Sequence, residues 1–127
     1  MTMTTRLKML IADDDSEMRE LLREILEQFG HTVESEVENG RDALTKINLN
    51  QPDIAFIDIE MPFIDGLGVL KELQFKKSST YPIIISGHST IDNVKTTLGL
   101  GAKGFVVKPY DPDKIKQILI KYWSEQQ

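Results

Sequence analysis

The 127-residue chain contains no cysteine, which excludes both a disulfide framework and a zinc–thiolate site. It has no apolar run approaching the roughly 18 residues that a membrane-spanning helix needs. Its opening residues, MTMTTRLK, lack a secretory hydrophobic region, so a cytoplasmic location is expected. Positive charge is in deficit, with 15 Lys and Arg against 20 Asp and Glu and a net charge of −5. Without a clustered basic stripe, nucleic acid is not expected as a direct partner. There is no internal repeat, low-complexity segment or linker. What remains is ordinary for a globular protein, 40% hydrophobic and 28% charged residues, and the length suits one domain with one core. That domain is expected over residues 6–123, with 1–5 and 124–127 as flexible termini.

The stretch PDIAFIDIEMP, residues 52–62, organises the chain. A short apolar run bounded by turn residues reads as a strand buried on both faces, and Asp58 stands at its C-terminal end. A short polar residue there is often only a turn or cap residue. Open parallel sheets, however, bind ligands just outside the carboxyl ends of their strands, and the other strand ends decide between the two readings.

LKMLIA, residues 7–12, reads as a buried strand followed by Asp13, Asp14, Asp15 and Ser16. Met18, Leu21, Leu22, Ile25 and Phe29 then recur at helical spacing up to Gly30. TVESEV, residues 32–37, alternates, with Val33 and Val37 expected on one side and glutamates on the other, as suits an edge strand. Asn39-Gly40 reads as a turn before a short helix carrying Ala43, Leu44 and Ile47. After the central strand, Leu67, Leu70 and Leu73 mark a third helix. PIIIS, residues 82–86, is a further buried strand, and Gly87-His88-Ser89-Thr90 leads into a helix with Ile91, Val94 and Leu98 as its stripe. Thr96, Thr97 and Gly99 make that helix weak. KGFVV, residues 103–107, is a fifth strand, followed by Lys108-Pro109, for which a cis peptide is expected. Asp111-Pro112 opens a last helix with Ile115, Ile118, Leu119 and Tyr122 facing inward.

Five strands alternating with five helices imply an α/β fold, a five-stranded parallel sheet with helices on both faces. Four near-continuous apolar strands belong inside and the alternating one at an edge. The doubly wound, flavodoxin-like order 2-1-3-4-5 meets that condition and leaves a crevice between the first and third strands.

In that order, Asp13 and Asp14, Asp58, Ser86 and Lys108 meet on one rim, each following an apolar strand. Two unit charges about 4 Å apart repel by roughly 4 kcal/mol at an effective dielectric near 20, so three carboxylates need a counter-charge or a proton. Magnesium fits, because it binds through one or two carboxylates, keeps waters and completes its shell with phosphate oxygens; manganese is the alternative. Asp13, Asp14, Asp58 and the backbone carbonyl of Glu60 are the expected ligands. A carboxylate beside such an ion can attack phosphorus and form an acyl phosphate. Asp58 is then the nucleophile, Lys108 the neutralising cation and Ser86 a hydroxyl donor.

LIADDD, FIDIEMPFIDG, IIISGHS and GAKGFVVKPY, in this order, resemble the receiver domains of two-component response regulators over residues 6 to about 123. The resemblance implies phosphorylation of Asp58 by a histidine kinase or histidine phosphotransfer protein. It matches Asp13 and Asp14 to the metal-binding acidic pair, Ser86 and Lys108 to the hydroxyl and lysine, and Phe105 to the aromatic switch position. Ser86 and Phe105 would pass the signal to a surface made by the fourth helix, fifth strand and fifth helix. Ile120 and Trp123 would supply apolar contact there to a downstream protein or a second copy, or would merely cover the edge of the core. The chain is then no enzyme on external substrates, only on its own aspartyl phosphate. Two other functions stand beside this: a phosphatase with an aspartyl nucleophile, and an unphosphorylated scaffold. The first lacks a second aspartate placed as general acid, and the second leaves the acidic set unexplained. No output domain is expected within these residues.

Overall fold

Apolar strand runs alternate with amphipathic helices, so each strand must return parallel to the one before it. The computed structural model describes residues 6–88 and 90–126. Among them are β1 (Lys8–Ala12), α1 (Ser16–Gln28), β2 (Thr32–Val37), α2 (Gly40–Asn50) and β3 (Ile54–Asp58). Then come α3 (Gly66–Phe75), β4 (Tyr81–Ser86), α4 (Ile91–Gly99), β5 (Gly104–Val107) and α5 (Pro112–Glu125). The strands form one parallel sheet in the order β2-β1-β3-β4-β5. The expected fold class is the observed one.

Both faces of the sheet are covered. Met9, Ile11, Phe56, Ile83 and Ile85 meet Leu22 and Leu26 of α1 and Ile115 and Leu119 of α5 on one side. On the other, Leu10, Ala12, Ala55, Ile57 and Ile84 meet Ala43 and Ile47 of α2 and Val69 and Leu70 of α3. Alternate residues of one strand therefore serve two separate cores, which is why β3 reads as a continuous apolar run. Among the described residues no helix is long and apolar enough to cross a membrane.

Several local expectations are corrected. Register along β1 and β2 jumps between Met9, opposite Val33, and Leu10, opposite Ser35. Glu34 is the extra residue of a bulge, and a one-residue shift exchanges the faces of a strand. Val33 consequently packs with the α1/α5 core and Val37 with the opposite one. Asn39-Gly40 is a helix start: Asn39 caps α2 by accepting from the Asp42 N–H, and Gly40 is the first helical residue. In α4, Ile91 and Leu98 are exposed, while Val94 is half-buried and Thr97 fully buried. The Thr97 hydroxyl donates to the Val94 carbonyl at 3.0 Å, which satisfies it away from water. Trp123 packs half-buried against the Tyr122 ring, 5.7 Å between centroids, so it covers the core edge; Ile120 remains exposed. The last helix runs to Glu125. The expectations for residues 1–5, Ser89 and Gln127 lie outside the described residues.

Candidate functional site

The parallel ladder carries the strand ends to one rim. The Asp13 N–H donates to the Val37 carbonyl at 3.0 Å, the Ile59 N–H to that of Ile85 at 3.2 Å, and the Lys108 N–H to that of Ser86 at 2.8 Å. Carboxylate oxygens of Asp13, Asp14 and Asp58 lie within 4.8 Å of one another. Above them a cavity of about 240 Å³ is lined by Asp14, Asp58, Glu60, Ser86, Gly87, His88 and Lys108. Asp13 lies beneath it, 0% exposed. Every site residue expected from the sequence is thus at or under this cavity except Phe105, which packs half-buried toward the α2/α3 core beside β4.

Local sequence explains how the carboxylates are held. Asp15, not Asp13 or Asp14, caps α1, accepting from the N–H groups of Glu17 and Met18. The Asp15 N–H in turn donates to Asp13 Oδ1 at 3.0 Å. The loop after Asp58 is pinned by two close approaches that demand glycine. A methyl group at Gly66 would fall 2.5 Å from the Asp58 carbonyl oxygen, and one at Gly40 would fall 1.9 Å from that of Ile64. Between them Phe63 takes a left-handed backbone, φ +70°, with the Arg41 guanidinium 4.3 Å above its ring. The Lys108-Pro109 peptide is cis, as expected.

Lys108 is the pivot of the electrostatics. Its Nζ donates to Asp58 Oδ2 at 2.7 Å and lies 2.7 Å from Asp13 Oδ2 in an ion pair. Burial works to lower the Lys108 pKa, but the bonds to Asp13 and Asp58 outweigh it and the net shift is upward. Asp58 is pushed up to about 6, first by burial and further by the Asp13 charge, against the pull of Lys108. Its Oδ1 accepts from the Glu60 N–H at 3.2 Å. Asp13 Oδ2 is buried without a directed hydrogen bond. Three carboxylates that share a single ammonium are short of positive charge and fit a hard divalent cation bound through oxygen. Among these residues the cluster has the donor set for magnesium, and none of the imidazole or thiolate set for zinc.

Ser86 is bonded through its hydroxyl to the backbone beyond it and not to Asp58. Its Oγ accepts from the His88 N–H at 3.0 Å and donates to the His88 carbonyl at 3.1 Å. Two residues of the site escape sequence reasoning. Arg19 Nη1 donates to the Asp13 carbonyl at 2.6 Å; its position in register with Leu22 and Leu26 on the buried stripe of α1 was the available signal. Tyr110, buried next to the cis proline, is held protonated first by burial and then by Asp13, Asp58 and Asp15. Nothing in its surroundings in sequence marks it out.

The family model described as response regulator receiver domain matches residues 9–120. The chemotaxis protein CheY of Listeria monocytogenes is 36% identical over 115 residues, covering 91% of this chain and 97% of that protein. The CheY of Thermotoga maritima is 34% identical over 114 residues, with 90% and 95% covered. A chain of the CheX–CheY–BeF3–Mg2+ complex from Borrelia burgdorferi superposes with a TM-score of 0.86 at 31% identity, covering 92% of this chain and 89% of that one. The chain belongs to the receiver domains of response regulators, the phosphoaspartate switches of two-component signalling.

Proposed function

We propose that Asp58 accepts the phosphoryl group, from a histidine kinase or histidine phosphotransfer protein, within a receiver unit spanning residues 6–123. The observation that carries this is the position of Asp58: it contacts the Lys108 ammonium, lies among the acidic pair, and still lines the cavity open to a donor. An Asp58 carboxylate oxygen attacks phosphorus in line; the new P–O bond forms as the P–N bond to the donor imidazole breaks, and the electron pair leaves with that nitrogen. Lys108 neutralises charge gathering on the carboxylate and the transferring group. Magnesium, or manganese, held by Asp13, Asp14, Asp58 and the Glu60 carbonyl, would balance the charge of the phosphoryl oxygens. In hydrolysis a water entering at the mouth formed by Glu60 and His88 attacks phosphorus. A new P–O bond to water forms as the P–O bond to Asp58 breaks, the carboxylate of Asp58 leaves with the electron pair, and inorganic phosphate is released.

Ser86 then swings from the His88 backbone to a phosphoryl oxygen, and Phe105 moves into the space released. The readout surface is α4, β5 and α5, whose exposed Ile91, Leu98, Val107 and Ile120 suit a protein target or a second copy. A cytoplasmic site of action accords with partners of this kind. The test is a mass spectrum after incubation with magnesium and acetyl phosphate. One phosphoryl mass is expected, lost in Asp58→Asn and on chelation; uptake persisting unchanged in Asp58→Asn sinks the assignment.

A further inference from the structure

We infer that Arg19 is a positioning residue for the acidic loop and sets its affinity for the divalent cation; this rests on the site reading above. Arg19 stands in the first turns of α1 with only 13% of its side chain exposed. Its Nη1 donates to the Asp13 carbonyl at 2.6 Å. That oxygen belongs to the peptide joining Asp13 to Asp14. The Asp13 N–H is held by Val37 and its carboxylate by the Asp15 N–H, so Arg19 supplies the hold on the Asp13–Asp14 peptide plane. The tilt of that plane aims Asp14 into the cavity.

The guanidinium is itself held from the edge strand. Its Nε is 3.4 Å from Glu36 Oε1 and its Nη2 3.8 Å from Glu38 Oε1, and Arg23 also bonds Glu36. Glu36 lies opposite Ile11 because of the bulge, and Ile11 faces the α1/α5 core. Without the extra residue Glu36 would point to the other face. A cleft of about 380 Å³ lined by Arg19, Glu36, Glu38 and Asp42 marks the outer side of this chain of contacts, and it shares no residue with the acidic cavity. The path therefore runs from the β2 bulge through Glu36 and Arg19 to the loop that presents Asp14. Groups that orient a metal ligand from behind alter metal affinity strongly when removed.

The sign of the effect separates positioning from simple charge. As a nearby cation, Arg19 would weaken magnesium binding, and Arg19→Ala would tighten it. As a positioning residue its removal weakens binding, and a lysine, which keeps the charge but has no planar fork, fails to restore it fully. Magnesium is titrated into the unphosphorylated full chain and followed by amide shifts of residues 13–15 and 58–60, with Asp14→Asn as the control. Arg19→Ala is expected to raise the dissociation constant about tenfold and Arg19→Lys about threefold. If Arg19→Ala does not fold, Arg19→Lys and Glu36→Gln carry the test, each weakening binding. Wild type that binds magnesium while these variants bind it equally or more tightly overturns the role of Arg19 alone. Wild type that binds none overturns the site reading with it.

Discussion

The Lys108 ammonium donates to Asp58 Oδ2 over 2.7 Å, joining the end of β5 to the end of β3 across 50 residues of chain. The same nitrogen stands 2.7 Å from Asp13 Oδ2, so one cation serves two buried carboxylates. The shortfall appears in Asp58, whose burial raises it from 3.8 to about 6.

That value makes metal-free stability depend on pH. The folded protein keeps a proton that the unfolded chain releases between pH 3.8 and about 6. Stability therefore falls as pH rises through that window and stays reduced above it. Asp58→Asn is expected to be more stable than wild type at pH 8, by up to about 2 kcal/mol. The gain should shrink towards pH 4, and magnesium should narrow it. Thermal melts at the two pH values check this; a variant less stable than wild type at pH 8 contradicts it.

Lys108→Ala leaves Asp13 and Asp58 facing each other without a cation. The variant should lose about 2–3 kcal/mol at pH 8, since a buried charge stripped of its partner is costly. Lowering the pH to 5, where Asp58 takes up a proton, or adding magnesium should recover most of the loss. Denaturant unfolding under the three conditions measures it.

Much of this was legible in the sequence because apolar runs and strand-end polar residues are local signals. LIADDD and FIDIEMP each show a buried strand and the carboxylate beyond it, and the one alternating strand sets the sheet order. The bulge at Glu34 was not legible, because an inserted residue leaves the alternation of TVESEV intact while exchanging which core Val33 and Val37 enter. In α4 the stripe of Ile91 and Leu98 misled, because the helix buries Thr97 with its hydroxyl bonded to its own backbone. Arg19 shares the buried stripe of α1 with Leu22 and Leu26, but its partner is the Asp13 backbone carbonyl, which no residue type announces.

The Ser86 hydroxyl is engaged wholly with His88, so a phosphoryl acceptor must draw it away. With beryllofluoride and magnesium, the His88 amide, the Phe105 ring and amides of residues 90–100 should shift together. In Ser86→Ala the shifts near Asp58 should remain and those of Phe105 should vanish. Phe105 signals that move equally in both proteins would show that the hydroxyl is not the link.

Glu60 and His88 line the same cavity as Asp58, and the proposed hydrolysis brings its water in there. A carboxylate there positions water, so Glu60→Ala should slow dephosphorylation by about threefold or more. His88→Ala should change the rate as well, since His88 lines the same cavity. Decay of the phosphorylated chain under single-turnover conditions gives both rates, and two unchanged values count against the role.

The bulge in β2 has a bearing on which contacts the domain can form at all. A sheet edge offers unpaired backbone groups to any passing strand, and β2 occupies one of the two edges. The break in register between Met9 and Leu10 bends that edge, and exposed Glu34 and Glu38 put charge along it. The opposite edge, β5, is only four residues long. Short, kinked or charged edges resist sheet extension. Neither edge of the sheet therefore offers a long, flat, uncharged strand to which another strand could readily add.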